Sequence, residues 1–547
     1  MVKATRRAHR TSRKIGMVYM QNGKLSNKVA HSAIAAGLAL AMAASPVIPA
    51  TVALAADTTY GTGSITINQV KGNETTFTGY RIFKAKVTDS DDSKTKSVSD
   101  VEWASDAVKN AVQTATGQTF ETPQDGADWI QNNVKDTDAT TAVGAGSIAD
   151  KIAKEVSKVE SATTVTPGAA ATLDEGYWLF VTTSSTLDDG EAATAPIFAV
   201  VGGKTGVTVT EKDTVPTVKK TLADDTTSGS TGVGKEITYK LEGTVASNID
   251  TYATYAYAFN DTLSAGLDYV DKSATVKVDG KDVTAQADIT YKDHVLTIAF
   301  TNLKKVATLT KSSKVTVEYK AKVNKEAVAG TDSNLSNQVS LTYSNDPHST
   351  GTGTTTDNPT VREYTYRLKL VKRDRDTEKA LDGATFTIKS GDKFVQADGS
   401  LGDKENVFTA NGSDGFTVNG LDAGTYTVTE KDAPSGYDKT DYFTFTITPT
   451  IENDELTGLA NTVDHNADVI AGESNNTPGD HKLQAEKGTA ADPKSGTVTV
   501  TVGDKKEITM PLTGMRGTTA LVVYGSAVLV ISAAAYIRHR RNAADSE

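Results

Sequence analysis

Glu236-Ile237-Thr238-Tyr239-Lys240-Leu241 alternates polar and apolar residues along its length. Successive side chains of an extended strand point to opposite faces, so this pattern offers one face to a core and the other to water. The alternation returns in Ala274–Val278, His294–Phe300, Val315–Val323 and Gln338–Tyr343, with Gly, Asn and Asp in the intervening stretches. Short alternating strands between turn residues read as an antiparallel β-sandwich, placed here at residues 214–357. From Pro347 the periodicity stops, and His348-Ser349-Thr350-Gly351-Thr352-Gly353-Thr354-Thr355-Thr356 reads as a linker by composition.

On the N-terminal side, residues 57–213 open with the strand-like Ser64-Ile65-Thr66-Ile67-Asn68-Gln69-Val70 and Tyr80-Arg81-Ile82-Phe83. Helix-compatible stretches follow at Ser99–Thr116, Ala127–Val134 and Gly146–Val159, before strands return at Gly176–Val181 and Ala195–Val201. This is a sandwich with short helical insertions. On the C-terminal side a further domain is expected at residues 358–509, closing on the strand Thr497–Val502 after a polar excursion over Asp464–Ser495. The whole chain is therefore expected to be all-β, a tandem of immunoglobulin-like sandwiches.

The two ends carry addresses rather than folds. Within residues 1–56, Arg6, Arg7, Arg10, Arg13 and Lys14 precede the apolar run Ala33–Ala44, and Ala53-Leu54-Ala55 supplies small residues for cleavage. That is the layout of a secretory signal, with Met17 an alternative start. Residues 510–547 contain an apolar run from about Thr518 to Ile537, followed by Arg538-His539-Arg540-Arg541. A run of roughly 20 residues can span a bilayer as a helix, with its cationic flank on the cytoplasmic side. Ahead of it stands Met510-Pro511-Leu512-Thr513-Gly514. This pentapeptide resembles the Leu-Pro-X-Thr-Gly sorting signal of Gram-positive surface proteins, with Met in place of the leading Leu. The resemblance implies that a sortase thiolate attacks the Thr513 carbonyl, releases Gly514 onward and passes Thr513 to an amine.

Other blocks resemble the same group of proteins. Gly206-Val207-Thr208-Val209-Thr210-Glu211-Lys212 is similar to the pilin motif Val-X-Val-Tyr-Pro-Lys of sortase-assembled pilus shaft subunits, with Thr210 and Glu211 replacing Tyr-Pro. It implies Lys212 as the amine that receives a neighbour's Thr513, with Lys204 and Lys219 the next candidates. Leu368–Asp374, Ala380–Ile388 and Leu421–Lys431, followed by Ala433-Pro434-Ser435-Gly436-Tyr437, resemble the Cna-B repeat of Gram-positive adhesins. Phe259–Leu267 and Ser336–Asn345 resemble the acid-bearing segment and closing strand of the related Cna-A-like pilin domain.

Such domains join a Lys to an Asn or Asp by an intramolecular isopeptide bond beside a buried acid. Burial disfavours the charged forms of both amine and acid, which leaves a neutral nucleophile facing a proton donor. In the third domain the resemblance implies Lys372 as donor and Glu430 as acid, with Asp504 as acceptor and Asn461 competing for that place. In the second it implies Asp261 as acid and Asn337 as acceptor, with Lys219 or Lys220 as donor; strand alternation sends only one inward, and Lys219 is the better match. In the first domain Lys71 is the one candidate.

Composition bounds the function classes. The net charge of −11, without a basic patch, disfavours nucleic-acid binding. There is no Cys, so cross-links other than disulfides must come from other side chains. The seven His are scattered, and no Ser-His-Asp spacing, zinc-type His cluster or phosphate-cradling Gly loop occurs. The expectation is a structural protein with no cofactor and no conventional enzyme site, needing only autocatalytic isopeptide formation. Taken together, the resemblances imply a cell-surface pilus subunit joined head to tail with identical copies. Its implied partners are a sortase, minor pilins, peptidoglycan and a host surface ligand. A monomeric wall-anchored adhesin, or a base or tip subunit, would share every motif except the use of Lys212.

Overall fold

The computed structural model describes residues 59–506, apart from 70–74, 91–94, 135–143, 160–161, 184–186, 212–213, 332, 440–441 and 466–491. The signal-like N-terminus, Lys71, Lys212 and the Met510–Gly514 pentapeptide with its apolar tail lie outside the described residues. Among the described residues no helix is long and apolar enough to cross a membrane. The fold is all-β, in three successive sandwiches, as the alternation predicts.

In the first domain, Thr62–Asn68 pairs antiparallel with Ala170–Asp174 and parallel with Val207–Thr210. A second sheet runs in the order Lys96–Trp103, Phe77–Asp89, Gly176–Thr182, Ile197–Val201. Ile65, Ile67, Phe77, Trp178 and Phe180 fill the space between the sheets. Helices Asp106–Thr116, Pro123–Asn133 and Ile148–Val156 cover the other face, through Val108, Val112, Ile130 and Ile152 against Ile82 and Leu179. The sequence predicts helix from Ser99, yet Lys96–Trp103 is a strand. Its register with Phe77–Asp89 sets Val98 opposite Val87 and Trp103 opposite Phe83, and only Ser105 begins the helix, accepting from the Val108 amide.

The second domain packs two sheets face to face. One contains Val218–Leu222, Glu236–Thr244, Lys314–Val323 and Thr275–Val278; the other contains Tyr257–Leu263, Ser336–Ser344 and Val295–Phe300. Alternate residues of Glu236–Thr244 and Lys314–Val323 turn inward, which places Tyr239 opposite Tyr319 in the core. The strand Thr360–Tyr364 pairs with Ser336–Gln338 and completes this second sheet. The division placed at 357 therefore moves to about Thr365, and the third domain begins with the strand Tyr366–Asp374. That strand lies between Phe416–Leu421, antiparallel, and the closing strand Thr497–Asp504, parallel. The facing sheet includes Thr385–Ser390, Gly424–Asp432, Phe443–Glu452 and Glu455–His465.

The domains are docked on one another by backbone contacts. The supposed linker after Pro347 is part of the first junction: Thr352–Thr354 pairs with Ser336–Ser344, and Gly190 donates to the Thr354 carbonyl at 2.7 Å. Ala193 N–H donates to the Asn345 carbonyl at 2.6 Å, and Ala145 N–H to that of Thr251 at 2.7 Å. Small polar residues suit a linker, but they also allow backbones to approach closely, and here they do so. At the second junction Val233 N–H donates to the Gly420 carbonyl at 2.8 Å, and the Ser230 and Tyr366 hydroxyls meet at 2.7 Å. Gly330 (φ +82°) and Gly496 (φ +61°) meet so tightly that a Cβ on Gly496 would come within 2.3 Å of the Gly330 nitrogen.

Asp150 ties the first two domains together through His348, whose Nδ1 lies 2.6 Å from its carboxylate. Burial works to raise the Asp150 carboxyl, but hydrogen bonds from His348, the Gly146 amide and Lys154 outweigh it and hold it at about 2. A carboxyl depressed in the folded state contributes stability above its unfolded value of about 4. That contribution should disappear as pH falls from about 4 toward about 2. Melting temperatures of the parent and Asp150→Asn chains should accordingly differ at neutral pH and converge in acid; a constant difference would contradict this role.

Candidate functional site: two buried lysine–carboxyl centres

Val218–Leu222 opens the second domain with Lys219 exposed and Lys220 buried. Its register sets Lys220 beside Leu241, an inward position of the neighbouring strand. The donor preferred from the resemblance, Lys219, is therefore on the wrong face. It borders an outer groove with Lys240, Glu242 and Glu318. The cause is the two-residue period of a strand: Leu222 and Lys220 share the core side, and Lys219 cannot join them.

Lys220 is 1 % exposed and crosses from one sheet to the other. Its Nζ lies 2.7 and 2.6 Å from the two oxygens of Asp261 and 3.1 Å from the Tyr319 hydroxyl. Asp261 and Asn337, both 0 % exposed, come from adjacent strands of the facing sheet. The Tyr319 hydroxyl donates to Asp261 at 2.7 Å and accepts from Asn337 Nδ2 at 2.6 Å. Asn337 Oδ1 is buried with no hydrogen-bond partner among the described residues. The Tyr239 and Tyr319 rings, stacked with centroids 5.5 Å apart, stand 4.9 and 5.4 Å from the ammonium. Burial lowers Lys220 to about 8 against the pull of Asp261, and burial raises Asp261. Both shifts favour transfer of the proton from amine to acid.

The third domain builds a comparable centre differently. Lys372 lies on the opening strand, in parallel register with Val502, and Asp504 is the next inward residue of the closing strand. Lys372 Nζ contacts Asp504 Oδ1 directly and lies 3.0 Å from Glu430 Oε1 on the facing sheet. All three side chains are 0 % exposed, and the Phe386 ring stands 5.5 Å from the ammonium. Asn461, the competing acceptor, lies on the facing sheet with its amide 3.5 Å from the Thr499 carbonyl. Beside the centre, the Tyr437 hydroxyl donates to Asp374 at 2.7 Å, so the Ala433–Tyr437 segment closes that end of the sandwich.

Sequence reasoning missed Tyr319, Tyr239 and Phe386. A signal for Tyr319 exists: it is the single aromatic among the inward residues of Lys314–Val323, which are otherwise Val and Ala. Among the described residues no group of three or more His, Cys, Asp or Glu is placed to hold a metal ion. Each centre sets a buried amine against carboxyl groups, and in the second domain a carboxamide lies beside the pair.

These features define a class: tandem β-sandwiches, two of which hold a buried lysine–carboxyl centre in the core. Residues 366–459 match the SpaA prealbumin-like fold domain. The chain is similar to the trypsin-resistant surface T6 protein of Streptococcus pyogenes serotype M6, at 25 % identity over 256 residues, 42 % of this chain and 45 % of that protein. It is also similar to platelet adherence protein A of Streptococcus gordonii, at 26 % identity over 232 residues, 41 % of this chain and 6 % of that protein. The chain thus spans less than half the length of either curated relative. Its fold is shared with the T6 backbone pilin of serotype M6 Streptococcus pyogenes, described as a modular three-domain structure, at TM-score 0.50 and 17 % identity over 82 % of this chain and 99 % of that one.

The two neighbouring lysines give a direct check. Lys219→Ala should change unfolding free energy by less than about 0.5 kcal/mol, as an exposed substitution. Lys220→Ala strands a buried carboxylate and should cost about 3 kcal/mol or more. Denaturant unfolding of the two variants separates them, and equal effects would contradict the inward placement of Lys220.

Proposed function

We propose that the chain is the shaft subunit of a covalently polymerised cell-surface pilus, stabilised by intramolecular isopeptide bonds. The observation that carries this reading is the pair of buried lysine–carboxyl centres, Lys220 against Asp261 between the two sheets of the second domain and Lys372 against Asp504 between the opening and closing strands of the third. The three-domain fold it shares with a backbone pilin, and the pilin-like and sorting-signal-like motifs, support it.

Bond formation needs no enzyme or cofactor. In the third domain the neutral Lys372 amine attacks the Asp504 carboxyl carbon, Glu430 supplies the proton, and water leaves. In the second, Lys220 attacks the Asn337 carboxamide beside Asp261, and ammonia leaves. A pulling force entering at the opening strand would then pass to the closing strand through a covalent link, leaving the sheets between unloaded. A sortase would join Thr513 of one subunit to Lys212 of the next, a heterologous contact that does not close and so builds a fibre. Minor pilins, peptidoglycan at the fibre base and a host surface ligand complete the expected partners, and the finished subunit resides on the cell wall.

Mass spectrometry of the folded chain should find a Lys220–Asn337 linkage lighter by about 17 Da and a Lys372–Asp504 linkage lighter by about 18 Da, the masses of ammonia and water. Asp261→Ala and Glu430→Ala should each restore the mass of its own centre; unshifted mass in the parent would remove the cross-link reading.

Cell-wall extracts on denaturing gels should show a high-mass ladder that Lys212→Ala abolishes. A single band in the parent strain would instead favour a wall-anchored adhesin, and a ladder surviving in the variant would move the linking lysine elsewhere.

A further inference from the structure

We propose that Tyr319 is a catalytic residue of the middle-domain centre, its hydroxyl carrying a proton from the attacking Lys220 Nζ to the departing Nδ2 of Asn337. The proposal rests on the reading that these two residues become linked. One oxygen touches all three reacting groups: it lies 3.1 Å from Nζ and 2.6 Å from Nδ2, and it donates to Asp261 at 2.7 Å. An amide nitrogen leaves only after protonation, and the attacking nitrogen must lose a proton once its new bond has formed. The Tyr319 hydroxyl sits between the two nitrogens, where one hydroxyl can satisfy both demands.

The steps balance without an outside reagent. Lys220 first gives a proton to Asp261, leaving a neutral amine and an acid, and Tyr319 no longer needs to donate to a carboxylate. The Nζ lone pair then forms a bond to Cγ of Asn337 while the Asp261 proton moves onto Oδ1, a buried acceptor with no hydrogen-bond partner among the described residues. Nζ, now cationic, passes a proton to Tyr319 Oη as the hydroxyl's own proton passes to Nδ2. The Cγ–Nδ2 bond breaks, ammonia departs, and the Oδ1 proton returns to Asp261 as the carbonyl re-forms. Tyr319 and Asp261 end as they began the attack. Burial, reinforced by the Asp261 charge, raises the Tyr319 phenol well above its ordinary value, so it retains the proton it must deliver.

The test follows linkage in the full chain during cell-free synthesis, with timed samples digested and both cross-linked peptides measured. Positioned acid–base groups contribute about 100-fold or more, so Tyr319→Phe should slow the Lys220–Asn337 linkage by roughly 100-fold. The Lys372–Asp504 linkage in the same molecules should keep its parental rate, which reports that the chain has folded. If the parent never forms the Lys220–Asn337 linkage, the cross-link reading itself fails. If the parent forms it and Tyr319→Phe matches its rate, only the role of Tyr319 is overturned. Should the Phe variant lose both linkages through misfolding, site-specific 3,5-difluorotyrosine at position 319 decides. It keeps the shape but makes the hydroxyl more acidic, and the rate–pH profile should shift to lower pH. An unmoved profile would overturn the proton-carrying role.

Discussion

A lysine ammonium buried between β-sheets, shut off from bulk solvent, is the constraint on which this molecule depends. Removing one such ion from water costs several kcal/mol even after relaxation, so the amine cannot stand alone in a core. Lys220 and Lys372 are tolerated because carboxyls meet them within hydrogen-bond reach and aromatic faces line the remaining space. The opening strands of the second and third sandwiches are consequently held in one register. A slip of one residue would turn the buried amine outward and bring Lys219 or Arg373 to the core face in its place.

The two centres solve one problem with different geometry. In the second domain Lys220 and Asn337, the proposed acceptor, belong to opposite sheets, so a bond between them would staple the sandwich through its middle. In the third, lysine and acceptor are on neighbouring parallel strands of one sheet, and the acid reaches across from the other. Parallel pairing of first and last strands lets chain entry and exit run side by side. That is the arrangement in which a single cross-link can bypass the rest of the domain under load. The acceptors differ as well: a carboxamide must lose a nitrogen, a carboxyl an oxygen, and the surroundings of Asn337 include a hydroxyl within reach of that nitrogen.

Between the sandwiches the chain spends little length on free linkage. Thr360–Tyr364 lies between Ser228–Ser230 and Ser336–Ser344 in a sheet of the second domain and Tyr366 already belongs to the third, so one residue separates the two sheets. Lys235 pairs with Asp422, and Thr227 donates to Asp454 at 2.7 Å, both from the second domain to the third. Such contacts resist bending at the junction, and they are built from residues whose composition alone suggests loops.

Much of this was legible in the residues. Alternation placed the strands of Glu236–Leu241, Val315–Val323 and Gln338–Tyr343, and the match of Leu421–Lys431 to a known repeat singled out Glu430 beside Lys372. Local patterns are readable because the two-residue period of a strand is a property of the backbone itself. What periodicity cannot say is which phase of the alternation faces the core. Two lysines in succession fit either phase, and only pairing with Leu241 decided for Lys220. The same holds for Asp504 over Asn461, for Ser99–Trp103 as strand rather than helix, for the docked stretch after Pro347 and for Tyr319. Each depends on partners distant in the chain. Local pattern was enough for most of the strands, the class of fold and the chemical types at each centre; contacts between segments settled which atoms meet, because burial and register arise between segments and not within them.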